Sequence, residues 1–495
     1  MEYDFVEIGT SDFETLIEQN NSQKGISIEP IQYYLDKLPN NPNVIKSNYA
    51  ISDIEGEIKI FWITPEDIKK YNLPWWVRGC NSVNEPHFQH KVLLGNKWKD
   101  IVKVDIVKCL TWKSLVKLYN IDSIKHLKID TEGHDLLILE EYYKLCQKNP
   151  RLLADTIIFE NNGLTDPIKF KYVESLFEKI GYKSYNREGD NHQFTKIKIA
   201  LLGPPEWALA NINFFLKKYL SSCFEVEIFD WSNASQIQQA IGGEYQIVIG
   251  EVIILSLGGI GYSVGKDVIF IPMFHHDVIN QSTTRFGKQD WDPNLLKQYY
   301  VGAISQDIVS KLKNKYDINS KLLPIGVEGK FWKKRSITQI NKLGIVGDLS
   351  NRDKGWDEIK RPDLFWEVVN KLNLSGDFIF GKSFKEGTKI YDGFDMVICT
   401  SKGEGNPMAF LECAAAKIPF ISTKVGIVPE YSSVKTFDTV EEAVEIIRYL
   451  NSSPLILQQY VNDVYNEVMA DREWSKIIKK YWIPTINNIL QNENV

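Results

Sequence analysis

Residues 127–137 read L-K-I-D-T-E-G-H-D-L-L, and no other stretch limits the fold so tightly. An apolar run through Ile129 stops on two carboxylates, Asp130 and Glu132. Gly133 turns the chain, and Leu136, Leu137 and Leu139 then follow at helical spacing. Strand, acids, glycine and helix form the unit by which a parallel sheet presents reactive groups at the carboxyl ends of its strands. The plain alternative is that the two acids only favour the N-terminus of the helix. What precedes this stretch decides between the two.

Three strand–turn units come before it. Residues 3–8 are expected as a strand with Gly9 immediately after, residues 25–28 as a strand ending at Glu29-Pro30, and residues 43–51 as a third ending at Ser52-Asp53. Helical patterns fill the intervals, through Phe13, Leu16 and Ile17, then Tyr34, Leu35 and Leu38. Alternating strand and helix implies a parallel, doubly wound sheet. The glycine after the first strand lets the backbone approach a ligand, and the acid about twenty residues on is placed to accept ribose hydroxyls. A dinucleotide or S-adenosylmethionine would suit such a site. A dinucleotide needs G-x-G-x-x-G around its pyrophosphate, but the run is Gly9-Thr10-Ser11-Asp12-Phe13-Glu14. Its two acids repel a pyrophosphate and tolerate a sulfonium cation, which favours S-adenosylmethionine.

The whole chain sets wider bounds. Its 495 residues are too many for one core, and three domains are expected. A hydrophobic content of 43% and a charged content of 25% are ordinary for a soluble globular protein. A net charge of -6 argues against nucleic-acid partners, which need a basic surface. Six scattered cysteines without C-x-x-C suggest a reducing compartment and no structural zinc. Met1-Glu2-Tyr3-Asp4 leads straight into a strand, and the apolar run 247–260 carries Glu251 and is too short to span a bilayer. A cytoplasmic protein with no signal peptide or transmembrane segment is expected.

Five blocks in order carry a family resemblance: V-E-I-G-T-S-D-F, S-I-E-P, N-Y-A-I-S-D-I-E-G, L-P-W-W-V-R-G-C-N-S and L-K-I-D-T-E-G-H-D. Over residues 3–195 the chain resembles the FkbM-type S-adenosylmethionine-dependent O-methyltransferases. The resemblance implies that Glu7 and Gly9 line the methionine end of the cofactor, that Glu29 holds the ribose and that Asp53 holds the adenine amino group. Phe13 stands where the first loop often has a further glycine. A sugar hydroxyl is a poor nucleophile at neutral pH and needs a base or a metal. Asp130 is the candidate base or divalent-metal ligand with Glu132 supporting it, and Glu160, Lys128 and His134 lie in the same layer. Its place at a helix opening makes His134 read as an exposed helix residue. Trp75-Trp76 with Arg78 is either a packed lid or a lid that stacks on adenine or a sugar.

The pattern restarts at residues 197–202, and a boundary near 195 is expected. Strands follow at 225–229, 246–249, 268–272 and 302–305, then at 343–346, 378–380, 396–399, 419–422 and 433–437. Two doubly wound units in tandem place their strand ends across a cleft. The informative run is E-G-N-P-M-A-F-L-E, Glu404 to Glu412, continuing A-A-A-K-I-P-F-I-S-T-K-V-G-I-V-P-E. It resembles the donor-binding segment of retaining glycosyltransferases of the two-Rossmann (GT-B) architecture, family four, and the likeness extends over about residues 197–485. By that resemblance Glu412 holds a nucleotide ribose and Glu404 lies by the transferred sugar, with backbone contacts from Gly405, Asn406 and Pro407. The family's basic pair clamps the diphosphate. Asp348 occupies the usual place of its first member, which leaves Lys360 and Arg361 as the choice and Arg352 and Lys354 as alternatives. His275, or its neighbour His276 in H-H-D, matches a histidine near the donor sugar.

The expected fold is therefore α/β, with three doubly wound Rossmann-like domains: 1–195 a methyltransferase, 196–335 an acceptor-side domain, and 336–495 a donor domain with a C-terminal crossover helix. The expected function is a bifunctional glycan-modifying enzyme using S-adenosylmethionine and a nucleotide-diphosphate sugar on a saccharide acceptor. The alternative is an active methyltransferase joined to a non-catalytic glycan- or nucleotide-binding module.

Overall fold

The computed structural model describes residues 1–12, 14–19, 22–187, 189–205, 207–252, 264, 268–275, 292–347, 359–379 and 389–492. The chain forms two compact units, one of residues 1–197 with 222–225 and one of residues 198–221 with 226–495. Both are mixed α/β.

In the first unit β1 (Glu2–Ile8), β2 (Gly25–Ile28) and β3 (Val44–Ser47) follow one another. β4 (Ala50–Ile51), β5 (Gly56–Trp62), β6 (Ser82–Val83) and β7 (Lys103–Leu110) then leave for a small sheet of their own. β8 (Ser123–Ile129), β9 (Thr156–Glu160), β10 (Tyr182–Asn186) and β11 (Asn191–Lys196) return to the main one. The main sheet has the order β10-β11-β9-β8-β1-β2-β3, the small one β4-β7-β5-β6. Neighbours from β3 across to β9 are parallel, and β11 inserts antiparallel between β9 and β10. The chain winds outward from β1 through β2 to β3 on one side and from β8 to β9 on the other. The crevice above β1 and β8 is therefore the topological switch point at which such sheets bind ligands.

β1 is apolar along most of its length because helices cover both faces. Tyr3, Val6, Leu127 and Ile129 pack with Leu139 and Tyr142 of the helix Asp135–Lys148. Phe5 packs with Ile17, Leu35 and Leu38. Each such side chain contributes roughly 1.5–3 kcal/mol of burial energy. The expected single strand over 43–51 is in fact two, in different sheets. Asn48 breaks it: its Nδ2 donates to the carbonyls of Glu29 at 3.0 Å and Pro30 at 2.9 Å and turns the chain.

The second unit holds two further sheets. The first contains β12 (Lys198–Gly203), β13 (Glu225–Asp230), β14 (Ile247–Glu251), β15 (Ile269–Phe274), β16 (Val301–Ala303) and β17 (Ser320–Leu322) in the order β13-β12-β14-β15-β16-β17. The other contains β18 (Lys342–Val346), β19 (Ser375–Ile379), β20 (Met396–Cys399) and β21 (Phe420–Ser422) in the parallel order β19-β18-β20-β21. The strand expected at 433–437 reduces to one bridge between Ser422 and Thr436. The amides of Ser432 and Ser433 donate instead to the Glu467 carboxylate, at 3.0 and 2.9 Å, and so are lost to a ladder. The chain end returns to the first of these sheets. Glu473 bridges Val327, and Trp482 Nε1 donates to the Pro324 carbonyl at 2.9 Å.

Candidate functional site

The switch point of the first unit is closed by a backbone contact. Gly9 has φ +79°, and a β-carbon there would stand 1.9 Å from the Asp130 carbonyl oxygen. The loops after β1 and β8 thus meet, and only glycine fits.

Around that contact the strand tips carry acids. Glu7 is wholly buried; its carboxylate accepts the Leu16 amide at 3.0 Å and the Lys128 ammonium at 3.1 Å. Burial is the main reason its pKa is raised, with Lys128 opposing. Glu29 is 2% exposed, its Oε2 accepting the Ser11 amide at 2.7 Å and its Oε1 the Ile31 amide at 2.8 Å. It braces the first loop, and burial pushes its pKa up to about 7. Asp130 lies 4.0 Å from Lys128, and 43% of its side chain reaches solvent. The enclosing walls still push its pKa up to about 6. Asp53 is exposed and accepts Ser52 Oγ at 3.0 Å. The same hydroxyl lies 2.9 Å from His134 Nε2, so His134 is a half-buried partner of Ser52 and not the exposed helix residue its position suggested. Asp12 pairs with Arg78 at 3.4 Å, and Arg78 lies over the Trp75 ring at 5.5 Å. Trp75 is 62% exposed.

Glu160, expected in this layer, and two groups beyond the expected set, Asp135 and His87, complete it. Asp135 is 2% exposed and accepts Thr131 Oγ1 at 3.0 Å; burial lifts its pKa to about 7. The Glu160 pKa is raised by burial and then by the charges of Glu132, Asp130 and Asp135. His87, on the insert that carries β6, places its Nε2 3.4 Å from Glu132 Oε2. No periodicity marks His87 as a site residue, because the insert that brings it there has no regular register to the sheet.

The donor set fits a sulfonium cofactor. Acids dominate the crevice, and the first loop offers a buried Ser11 hydroxyl with no hydrogen-bond partner among the described residues. Among the described residues no group of three or more His, Cys, Asp or Glu side chains is arranged to hold a metal ion.

In the second unit Glu404 and Glu412 flank the turn Gly405-Asn406-Pro407. The helix Met408–Ala416 starts after Pro407, and no side chain caps its N-terminal amides. Glu412 accepts Tyr391 Oη at 2.5 Å, and burial pushes its pKa up to about 7. Glu404 accepts Ser401 Oγ at 2.8 Å and pairs with the Lys360 ammonium. Burial would lower the Lys360 pKa, but the Glu404 carboxylate outweighs it and raises it. Arg361 has φ +50° and donates from Nε to the Thr400 carbonyl at 2.6 Å. Asn406 is buried, and neither atom of its amide has a hydrogen-bond partner among the described residues. His275, at the tip of β15, stands 2.9 Å from the Glu251 carboxylate at the tip of β14. A β-carbon on Gly405 would meet the His275 carbonyl at 2.5 Å. Asp348, Arg352, Lys354 and His276 lie outside the described residues. A cleft of about 340 Å³ opens beside Glu404, lined by Gln306, Lys311, Lys402, Lys424 and Gly426 among others.

A doubly wound sheet with an acid-lined switch point gives the first unit a Rossmann-like fold. The family model described as the methyltransferase FkbM domain matches residues 5–184, most of this unit and about a third of the chain. No curated protein matches the chain. Among solved structures the chain is similar to HepE of Anabaena in complex with UDP and glucose, at 13% identity, 60% of this chain, 100% of that one and a TM-score of 0.45. It is also similar to a sucrose-phosphate synthase of Thermosynechococcus elongatus, at 10% identity, 60% and 99% coverage and a TM-score of 0.46. A third likeness is to a glycosyltransferase from Rickettsia africae, at 15% identity, 60% and 99% coverage and a TM-score of 0.41. Among the described residues no helix is long and apolar enough to cross a membrane.

Proposed function

We propose that this protein is a fused glycan-modifying enzyme, in which the first unit methylates a saccharide hydroxyl and the second transfers a sugar from a nucleotide sugar. The observation that carries the first half is the switch-point crevice, walled by Asp12, Glu29 and Asp130 and lacking phosphate-binding glycines. S-adenosylmethionine, held through the Gly9 loop, Glu29 and Asp53, supplies a methyl group on a sulfonium that departs as a neutral thioether with the C–S electron pair. For a ribose to reach Glu29, the carboxylate must exchange one of its two backbone amides for the sugar hydroxyls. The carboxylates at the tip of β8, Asp130 and Glu132, present the proton acceptor for the incoming hydroxyl.

The second half rests on the E-G-N-P turn. Asn406 offers an unsatisfied buried amide, the helix from Met408 offers N-terminal amides to an anion, and Glu412 keeps one oxygen beyond its bond to Tyr391. Joining the two activities in one chain raises the effective concentration of one product at the other site. One observation favours a second reading, in which this half binds a nucleotide or glycan without transfer. Lys360 is engaged by Glu404 and Arg361 by Thr400, so the expected diphosphate clamp is already occupied by protein groups.

The test is thermal unfolding of the full chain with S-adenosylhomocysteine and with UDP, each a ligand of one half. Saturation at about 100 times Kd adds about 2.7 kcal/mol to the native state. A shift with neither ligand overturns both readings. Hydrolysis of a UDP-sugar separates transfer from mere binding.

A further inference from the structure

His87 is the least expected group at the methyl-transfer site, and its surroundings fix what it can do. It caps the helix Phe88–Leu94, with Nδ1 accepting the Gln89 amide at 3.2 Å. A neutral imidazole that accepts at Nδ1 carries its proton on Nε2. That Nε2 has no hydrogen-bond partner among the described residues and stands 3.4 Å from Glu132 Oε2, in a pocket where the His87 side chain is only 4% exposed. Such contacts are often long before substrate binds and tighten afterwards. Behind it His90 is fully buried, its ring centre 5.8 Å from that of His87.

Glu132 is the group being aimed. It is a non-glycine residue at φ +51°, a left-handed conformation that persists only where the surroundings enforce it. That backbone turn, one residue before Gly133, separates Glu132 from the half-exposed Asp130 and sets it against His87. Glu160, across the same crevice, has a buried oxygen with no hydrogen-bond partner among the described residues.

We propose that His87 is a positioning residue: its Nε2–H holds the Glu132 carboxylate as the acceptor of the substrate hydroxyl proton, with Asp130 in a secondary place. The proposal rests on the methyltransferase reading of the first unit. As the acceptor oxygen bonds to the methyl carbon, it gives up its proton to a Glu132 oxygen, and Glu132 becomes the neutral acid.

Two replacements divide the two jobs of His87. His87→Asn keeps an acceptor near Nδ1 and the helix cap but cannot reach Glu132. His87→Gln reaches Glu132 with an N–H and gives up the cap. With labelled S-adenosylmethionine and a panel of aryl glycosides, His87→Asn should lower kcat about 100-fold, the low end of general acid–base contributions. KM for S-adenosylmethionine should stay within about twofold, as for loss of a transition-state interaction. His87→Gln should keep more of kcat while melting earlier, and Glu132→Gln with His87→Asn should lose little beyond either alone. A residue that only held the insert together would give the opposite ranking, with His87→Gln the worse enzyme, and that result overturns the proposal. So does a kcat loss confined to Asp130→Asn.

A second arm needs no turnover and separates this proposal from the methyltransferase reading. Histidine-selective ¹⁵N NMR of the full chain, with His87 assigned by its loss in His87→Asn, should show an Nε2–H ring whose Nε2 signal moves in Glu132→Gln. An Nδ1–H ring, or an Nε2 signal blind to Glu132→Gln, overturns the pairing even if methyl transfer is intact. Should the wild type neither bind S-adenosylhomocysteine nor methylate any glycoside, the methyltransferase reading and with it the catalytic role of the pair fail, whatever this spectrum shows.

Discussion

The carbonyl oxygen of Asp130 occupies the space that a side chain on Gly9 would need: a β-carbon there would lie 1.9 Å from it. The two loops are held so by parallel ladders that run past the strand ends, Gly9 N to Ile28 O and Asp130 N to Ile8 O, both 2.9 Å. Gly9→Ala therefore meets backbone, which cannot swing aside, at a φ that L residues avoid. It should cost about 2–4 kcal/mol, the sum of a left-handed penalty and overpacking. Urea unfolding checks the stability, and titration with S-adenosylhomocysteine should show lost binding. A variant as stable as wild type would mean that the loops after β1 and β8 are not in contact.

Glu160 gives a pH signature. Burial, then the charge of Glu132, raises its pKa above the usual carboxylate range. The folded state thus holds this proton more tightly than the unfolded chain, whose glutamates titrate near about 4.3. The contribution to stability is complete below that value and declines as pH rises, until the buried group ionises. Glutamine cannot ionise. Glu160→Gln should match wild type near pH 4.5 and be more stable at pH 8 by roughly 1–3 kcal/mol. Denaturant midpoints at the two pH values decide it, and a gap that does not widen with pH refutes it.

Much of this architecture is legible in the residues. Short strand patterns that stop on Gly9, Glu29 and Asp130 and alternate with helical patterns announce strand ends at one edge of a parallel sheet. The breaks are less legible. Asn48 ends a strand by bonding to carbonyls 18 and 19 residues away, and Glu467 takes the amides of Ser432 and Ser433 from 35 and 34 residues away. Neither effect is local enough for periodicity to show. His87 illustrates the same point at the site: the acids sit at strand ends, where position implies role, whereas His87 arrives on an insert. Likewise Lys360 reads as a free cation in the sequence, and only the fold brings Glu404 to it.

That pair supplies a third prediction. Glu404 and Lys360 neutralise each other at the edge of the cleft, so a diphosphate must compete with Glu404 for the ammonium. Glu404→Gln removes the competitor and one negative charge. It should melt earlier without ligand, since an uncompensated buried charge is costly, yet bind UDP about 3- to 10-fold more tightly, as one charge-assisted hydrogen bond regained would give. UDP-sugar hydrolysis should disappear in the same variant. Lys360→Met should weaken UDP instead. Calorimetric titration measures both, and weaker UDP binding by Glu404→Gln would show that Lys360 is not the clamp.

Arg472 joins the returning chain end to the cleft. Its side chain is 4% exposed; Nη2 donates to Glu430 Oε2 at 2.8 Å, and Nε to Tyr431 Oη at 2.5 Å and Asp471 Oδ2 at 3.1 Å. The other Glu430 oxygen accepts the Gln306 amide at 3.3 Å, at the start of the helix Gln306–Tyr316. One carboxylate therefore ties an element following β16 to the loop after β21, and both line the cleft. Removing the arginine leaves Glu430 without its cation and Asp471 with only Lys480, at 3.6 Å. Arg472→Ala should cost about 1–3 kcal/mol, less than for a fully buried pair, because the side chains of Glu430 and Asp471 are 32% and 38% exposed and water compensates them in part. Arg472→Lys should recover only part of this, because an ammonium cannot reproduce the guanidinium fork. Since Glu430 also shapes the cleft wall, UDP should bind more weakly to both variants, and by less to Arg472→Lys. Equal stability of the alanine and lysine variants would place the energy in packing of the arginine stem, not in the fork that holds Glu430.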